Sequence, residues 1–268
     1  MTRRWSIAAV VLALAVTAAW LLLFGGRARA QTTDGALVQR GRSLYATGCV
    51  SCHGPDGDGV TTPNGELRGP SLRNAGAAAA YFQLSTGRMP RANSTGQAER
   101  KRPAYSSADI DALVAYVASL GPGPALSRID IAHADLAGGG ELYRANCAAC
   151  HSAAGGGGAL SYGHYAPSLL PATPLEVAGA VRSGPGQMPT FGPDSLSDAQ
   201  VNDIAAYVEY LHHPRDPGGV SIGRTGPVPE GFVAWFFGMG ALLAFVAWIG
   251  TRMPVRRRRR DAAEAGDG

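Results

Sequence analysis

The chain has 268 residues, 46% hydrophobic and 16% charged, with 24 Lys/Arg against 20 Asp/Glu for a formal net charge of +4. The excess sits at the ends: residues 31–230 hold fourteen Lys/Arg against seventeen Asp/Glu, a net of −3, so the overall balance gives no reason to expect nucleic acid as a partner. Within that stretch residues 31–122 carry a net +2 and residues 123–215 a net −4, which suits an acidic second half to a basic partner without locating a patch.

In chain order, Arg3 and Arg4 precede an apolar run from Trp5 to Phe24, followed by Gly25, Gly26 and Ala28-Arg-Ala30. The run reads either as a signal peptide cut after Ala30 or as a retained membrane span, because about twenty residues at 1.5 Å rise reach the roughly 30 Å of a bilayer core. Both readings stay open.

Next comes a motif that occurs twice. Cys49-Val-Ser-Cys52-His53 and Cys147-Ala-Ala-Cys150-His151 are C-x-x-C-H, and they use all four cysteines of the chain. In this motif the two thiols form thioethers to the haem vinyl groups and the histidine becomes an axial iron ligand. A zinc half-site or a redox dithiol would account for C-x-x-C but leave both histidines unexplained. The expected cofactors are therefore two covalently bound haem c groups.

The motifs lie inside an internal repeat whose first cysteines are 98 residues apart. Gly41-x-x-Leu44-Tyr45 precedes one and Gly139-x-x-Leu142-Tyr143 the other. Downstream, Gly69-Pro70-Ser71-Leu72 and Arg88-Met89-Pro90 match Ala166-Pro167-Ser168-Leu169 and Gln187-Met188-Pro189. Each unit closes on an amphipathic helix. Ile110, Leu113, Val114, Val117 and Leu120 follow Ser106 or Ser107 as N-cap, and Val201, Ile204, Ala205, Val208 and Leu211 follow Ser197; Gly121 and the His212-His213 pair mark the stops.

This order resembles a class I cytochrome c domain, over roughly residues 35–122 and 138–213. The resemblance implies an all-α unit wrapped around its haem, its first and last helices crossing. Units of under a hundred residues bury little surface, and a covalent haem supplies the missing apolar core. Of the five methionines, Met1 is the initiator, Met239 lies in an apolar span and Met253 just after it. That leaves Met89 and Met188, one per repeat and each before proline, as second axial ligands opposite His53 and His151, although most methionines are simply core fillers. A thioether ligand favours ferrous iron and raises the potential. By the same resemblance, Pro70 and Pro167 offer backbone carbonyls to the distal ring nitrogens of His53 and His151. His133, His164, His212 and His213 read as linker, loop or helix-end residues, and Asp56-Gly-Asp58-Gly as a turn. An insertion after Met89 carries Arg91, Arg100, Lys101 and Arg102; such a loop is ordinarily solvated surface, or else a dock for an acidic partner or another subunit.

After Gly121-Pro-Gly-Pro124 and about fifteen linking residues, the second unit ends in a Pro/Gly-rich tether from Pro214 to Glu230. The short linker leads us to expect the two units to lie close enough to pass an electron. The uncharged span Phe232 to Gly250 follows, with Trp235 and Trp248 near its ends, then Arg252 and Arg256 to Arg260. A basic run directly after a membrane span marks the cytoplasmic side, and Arg3 and Arg4 agree. Residues 31–230 then lie outside the cytoplasm, where c-type haem is attached.

The expected fold class is all-α, two tandem class I cytochrome c domains with a C-terminal transmembrane helix and an N-terminal apolar segment. The expected segments are 1–30 signal or anchor, 31–122 first domain, 123–213 second domain with its linker, 214–230 tether, 231–251 transmembrane helix and 252–268 cytoplasmic basic tail. This architecture resembles the cytochrome c subunits of the actinobacterial menaquinol:cytochrome c oxidoreductase, the cytochrome bcc complex. That resemblance implies cytochrome b and Rieske iron–sulfur subunits as partners, and electron delivery to a cytochrome aa3-type oxidase in a supercomplex in the cell membrane. A tethered stand-alone dihaem carrier of the cytochrome c4 kind and the cytochrome subunit of a periplasmic dehydrogenase remain alternatives. A dihaem peroxidase needs an open or displaceable iron ligand, which methionine at both irons disfavours.

Overall fold

The computed structural model describes residues 35–92, 96–215 and 227–252. The N-terminal apolar segment, most of the Pro/Gly tether and the basic tail lie outside the described residues.

The first repeat opens on helix α1 (residues 35–48), continues through the one-turn helix α2 (Val50–His53) and α3 (Gly76–Ser85), and closes on α4 (Ser107–Ser119). The second repeats the order with α5 (Leu136–Asn146), α6 (Ala148–His151), α7 (Pro174–Ser183) and α8 (Asp198–His212). The closing helices start at the expected caps. Ser106 accepts from the Asp109 amide, and Ser197 forms a capping box with Gln200.

The shared Gly-x-x-Leu-Tyr pattern is the helix crossing. A Cβ on Gly41 would stand 2.0 Å from the Ala112 carbonyl oxygen, and one on Gly139 would stand 2.1 Å from that of Asp203, so only glycine lets the opening and closing backbones touch. Four residues on, Tyr45 and Tyr143 fill the two cores. Their hydroxyls donate to the Gly54 and Ser152 carbonyls, each at 2.7 Å, and their rings lie against Tyr116 and Tyr207. Ile110, Leu113 and Val117 are buried in the first unit and Val201, Ile204 and Val208 in the second, the predicted apolar faces. Each contributes about 1.5–3 kcal/mol by leaving water.

Two short antiparallel hairpins, which the sequence did not disclose, occupy equivalent places. β1 (Val60–Thr61) pairs with β2 (Leu67–Gly69), Val60 opposite Gly69 and Thr61 opposite Leu67; β3 (Gly158–Ala159) pairs with β4 (Tyr165–Ala166), Gly158 opposite Ala166 and Ala159 opposite Tyr165. Strands of two or three residues carry no readable period.

The units meet through α3 and α7, the same helix of each repeat. Gly179 of α7 faces α3: its Cβ position lies 3.1 Å from the Ala78 carbonyl oxygen and 3.3 Å from the Phe82 Cβ. The linker is laid along this contact. The Ala78 amide donates to the Pro124 carbonyl at 3.1 Å, and buried Arg182 donates to Ser127, to the Leu196 carbonyl and to Asp198.

Helix α9 (Pro227–Arg252) stands apart. Its segment Gly231–Arg252 has mean hydropathy 2.1 and packs none of its residues into the two units, and it is long and apolar enough to cross a membrane. Phe237, Trp235 and Trp248 are exposed along it, and the Arg252 guanidinium lies 4.9 Å from the Trp248 ring centroid.

Candidate functional site

Helix α1 ends by passing its last hydrogen bond into the motif: the Cys49 amide donates to Tyr45 and the His53 amide to Cys49, both at 2.9 Å. One helical turn thus presents Cys49, Cys52 and His53 on a common face, since residues three and four apart are neighbours. Cys147, Cys150 and His151 are arranged alike, the Cys147 amide donating to Tyr143 at 2.8 Å and the His151 amide to Cys147 at 2.9 Å. None of the four cysteines is engaged in a disulfide. Burial, with a smaller contribution from the neighbouring Cys52 or Cys150, pushes the unattached Cys49 and Cys147 thiols up to about 11.

The histidine rings are held by main chain. His53 Nδ1 lies 2.8 Å from the Pro70 carbonyl oxygen, and His151 Nδ1 lies 2.9 Å from that of Pro167. A carbonyl only accepts, so Nδ1 is the donor in both rings, and Nε2 is the ring nitrogen left to face a ligand. Burial lowers the His151 pKa, partly opposed by the bond to Pro167, which favours the neutral imidazole a metal requires.

The loops returning to these prolines depend on glycine. Gly59 and Gly157, each six residues past its histidine, have φ of +86° and +85° and donate to the His53 and His151 carbonyls at 2.8 and 2.9 Å. A Cβ would meet backbone at 2.8 Å in the first and 2.5 Å in the second. The sequence reading placed Gly59 in a turn but gave neither glycine a role, although their equal offset from the motif was a signal. Immediately after the histidine the repeats differ: Gly54 takes φ 77°, whereas Ser152 is forced to φ 64°, a strained conformation for a residue with a side chain.

Met89 and Met188 follow α3 and α7. Met89 packs on the same core as Cys49 and Val50, and Met188 on the same core as Cys147 and Ala148. Each unit therefore sets one cysteine of its motif and one methionine on a common core, with the second cysteine and the histidine on the adjoining helical turn. The other histidines are engaged locally where bonds are present: His133 Nδ1 pairs with Asp130 at 2.7 Å, and His212 Nε2 donates to the Leu169 carbonyl at 3.1 Å. Asp58 is held by Arg73 in the turn the sequence suggested.

Known proteins agree with this division. Residues 38–121 match the family model for cytochrome c, and residues 134–208 match that for subunit III of cbb3-type cytochrome c oxidase. The chain is 44% identical over 231 residues to the cytochrome bc1 complex cytochrome c subunit of Mycobacterium tuberculosis, covering 83% of this chain and 81% of the relative. It is 39% identical over 272 residues to the subunit of the same name from Corynebacterium diphtheriae, covering 93% and 95%. The chain belongs to the family of cytochrome bc1 complex cytochrome c subunits. A shorter likeness, 40% over 78 residues, links 28% of the chain to 91% of the cytochrome c6 of Leptolyngbya boryana.

The protein is a cytochrome c with two cytochrome c domains, a mostly helical fold and a candidate C-terminal transmembrane helix, and its role is electron transport. Covalent haem c is the cofactor such domains imply. The residues fit it: two cysteines three residues apart and outside any disulfide, and an imidazole whose Nδ1 donates to a proline carbonyl, leaving Nε2 for iron.

Proposed function

We propose that this chain carries two covalent haems and passes electrons from a Rieske iron–sulfur subunit, beside cytochrome b in a menaquinol-oxidising complex, to a cytochrome aa3-type oxidase. The single observation that carries the two-haem reading is the duplicated proline carbonyl to histidine Nδ1 bond, 2.8 Å in one unit and 2.9 Å in the other. Cys49 and Cys52 would hold one group and Cys147 and Cys150 the other, with His53 and Met89, and His151 and Met188, as the residues that would ligate the two irons. Bound haem c supplies a one-electron ferrous/ferric couple.

The chain's own residues do the rest. Pro70 and Pro167 hold each imidazole in one tautomer and orientation and raise its basicity as a ligand. Tyr45 and Tyr143 anchor the turn after each histidine to the opening helix, and the buried faces of α4 and α8 keep water from the core. No bond of a substrate is made or broken by these groups, so the chain contributes electron transfer to the oxidoreductase activity of the complex.

The domain limits follow as 31–122 and 123–213, with the tether at 214–230, the span at 231–251 and the tail 252–268 in the cytoplasm. The haem units then lie on the extracytoplasmic side.

Haem quantitation on the purified full chain tests the count. Two per chain is expected, falling to one when Cys49 and Cys52, or Cys147 and Cys150, are replaced by serine; one per chain in the unaltered protein would overturn it. A reduced-minus-oxidised spectrum of the tagged protein drawn from its native membrane tests the assembly. Accompanying b-type and a-type bands support it, whereas c-type absorption alone would favour the tethered stand-alone carrier.

A further inference from the structure

The basic insertion of the first unit does not end in solvent. Residues 96–102 lie between the stretch that carries Met89 and the second unit. On one side, the Lys101 amide donates to the Thr86 carbonyl at 3.0 Å and its Nζ to the Pro90 carbonyl at 3.4 Å. Gly87 lies tightly against the same segment, its Cβ position 2.3 Å from the Lys101 carbonyl oxygen. On the other side, Gln97 pairs with β4 as a strand would: its Nε2 donates to the Tyr165 carbonyl at 2.8 Å, and its Oε1 accepts from the Tyr165 amide at 3.2 Å. Tyr165 stands two residues before Pro167, whose carbonyl holds His151.

Arg100 makes the second attachment. Both of its terminal nitrogens reach the two carboxylate oxygens of Glu176, a side chain only 6% exposed. Glu176 is the third residue of α7 and also accepts from the Thr173 amide at 2.9 Å, so the pair grips the start of the helix that packs on α3. A bidentate guanidinium–carboxylate pair restricts orientation as well as distance, and desolvation strengthens it.

We propose that residues 96–102 are an internal clamp holding the second unit against the Met89 side of the first, with Gln97 and Arg100 as positioning residues for electron transfer between the units. The electron-transfer part rests on the two-haem reading above; the clamp itself rests on the contacts alone. The basic insertion thus takes an acidic partner within its own chain, one element of a second unit whose net charge is −4.

The test uses the full chain in detergent with Gln97→Ala, Arg100→Gln and both together, and Arg100→Lys as the conservative variant. Glu176 is left in place because it also caps α7. Hydrogen exchange is read in peptides spanning 76–85 and 164–183, with α4 and α8 as internal references for each unit's core. The double variant is expected to exchange about tenfold faster in the two interface peptides, with α4 and α8 unchanged and partial recovery in Arg100→Lys. In the same samples, electron equilibration between the haems after photoreduction is expected to slow about tenfold at unaltered haem content and unaltered c-type bands. Interface protection equal to the unaltered protein in both Gln97→Ala and the double variant overturns the clamp, whatever the haem count proves to be. Faster interface exchange with unchanged equilibration keeps the clamp and overturns its role in electron transfer.

Discussion

Replacing Gly139 with alanine perturbs the place where the second unit is most tightly built. The new Cβ would stand 2.1 Å from the Asp203 carbonyl oxygen, 2.5 Å from its carbon and 3.2 Å from the Ile204 nitrogen. All three are backbone atoms, so no rotamer change relieves the overlap. Reaching ordinary contact at about 3.4 Å requires α5 and α8 to part by about 1.3 Å. That opens the core around Tyr143, Ile204 and Val208, which are 0%, 1% and 1% exposed. Overpacking of this kind costs up to about 3 kcal/mol, and alanine returns about 1 kcal/mol through its better helix propensity. A net loss of about 2 kcal/mol lowers the melting temperature of a unit this size by about 10 °C. Scanning calorimetry of the purified full chain reads the shift, with Gly156→Ala as control because its Cβ position has nothing nearer than 3.6 Å. If Gly139→Ala unfolds at the same temperature as Gly156→Ala, glycine is not what permits the crossing.

Three further outcomes follow from the same geometry. Tyr143→Phe leaves the part-buried Ser152 carbonyl without its 2.7 Å partner and is expected to cost about 1 kcal/mol, measured by denaturant unfolding; full stability in the variant would refute that role. Met188→Ala or Met89→Ala is expected to leave haem covalently attached while lowering that haem's potential, and an unchanged redox titration would overturn the ligand assignment. Hydrogen bonds from Ser127 and then Arg182 hold the Asp198 carboxyl below its usual range. Its contribution to stability is therefore full above the ordinary value of about pH 4 and is lost as pH falls through the lower folded value. An acid melt should show a steeper loss in the unaltered chain than in Asp198→Asn, and parallel acid limbs would argue against the linkage.

Local chemistry made much of this protein legible from residues alone. Two C-x-x-C-H motifs, the matched Met-Pro pairs, the caps at Ser106 and Ser197 and the uncharged span from Phe232 are each encoded within a few residues, because ligand spacing, capping and helical periodicity are short-range properties. The apolar faces of α4 and α8 carried their burial in their spacing. The Gly-x-x-Leu-Tyr pattern was visible as a repeat, yet its meaning was not: that Gly41 meets Ala112 and Gly139 meets Asp203 is a contact across more than sixty residues. Helix α3, Gly-Ala-Ala-Ala-Ala-Tyr-Phe-Gln-Leu-Ser, shows no pronounced apolar stripe, and nothing in it names α7 as its neighbour. Arg100 looked like any solvated arginine, since its partner Glu176 lies 76 residues away. Residue spacing thus determined the C-x-x-C-H motifs, the closing helices α4 and α8 and the candidate membrane span. How the two units face one another was decided only by the folded chain, because the surfaces that meet there become neighbours only after each unit has closed around its own core.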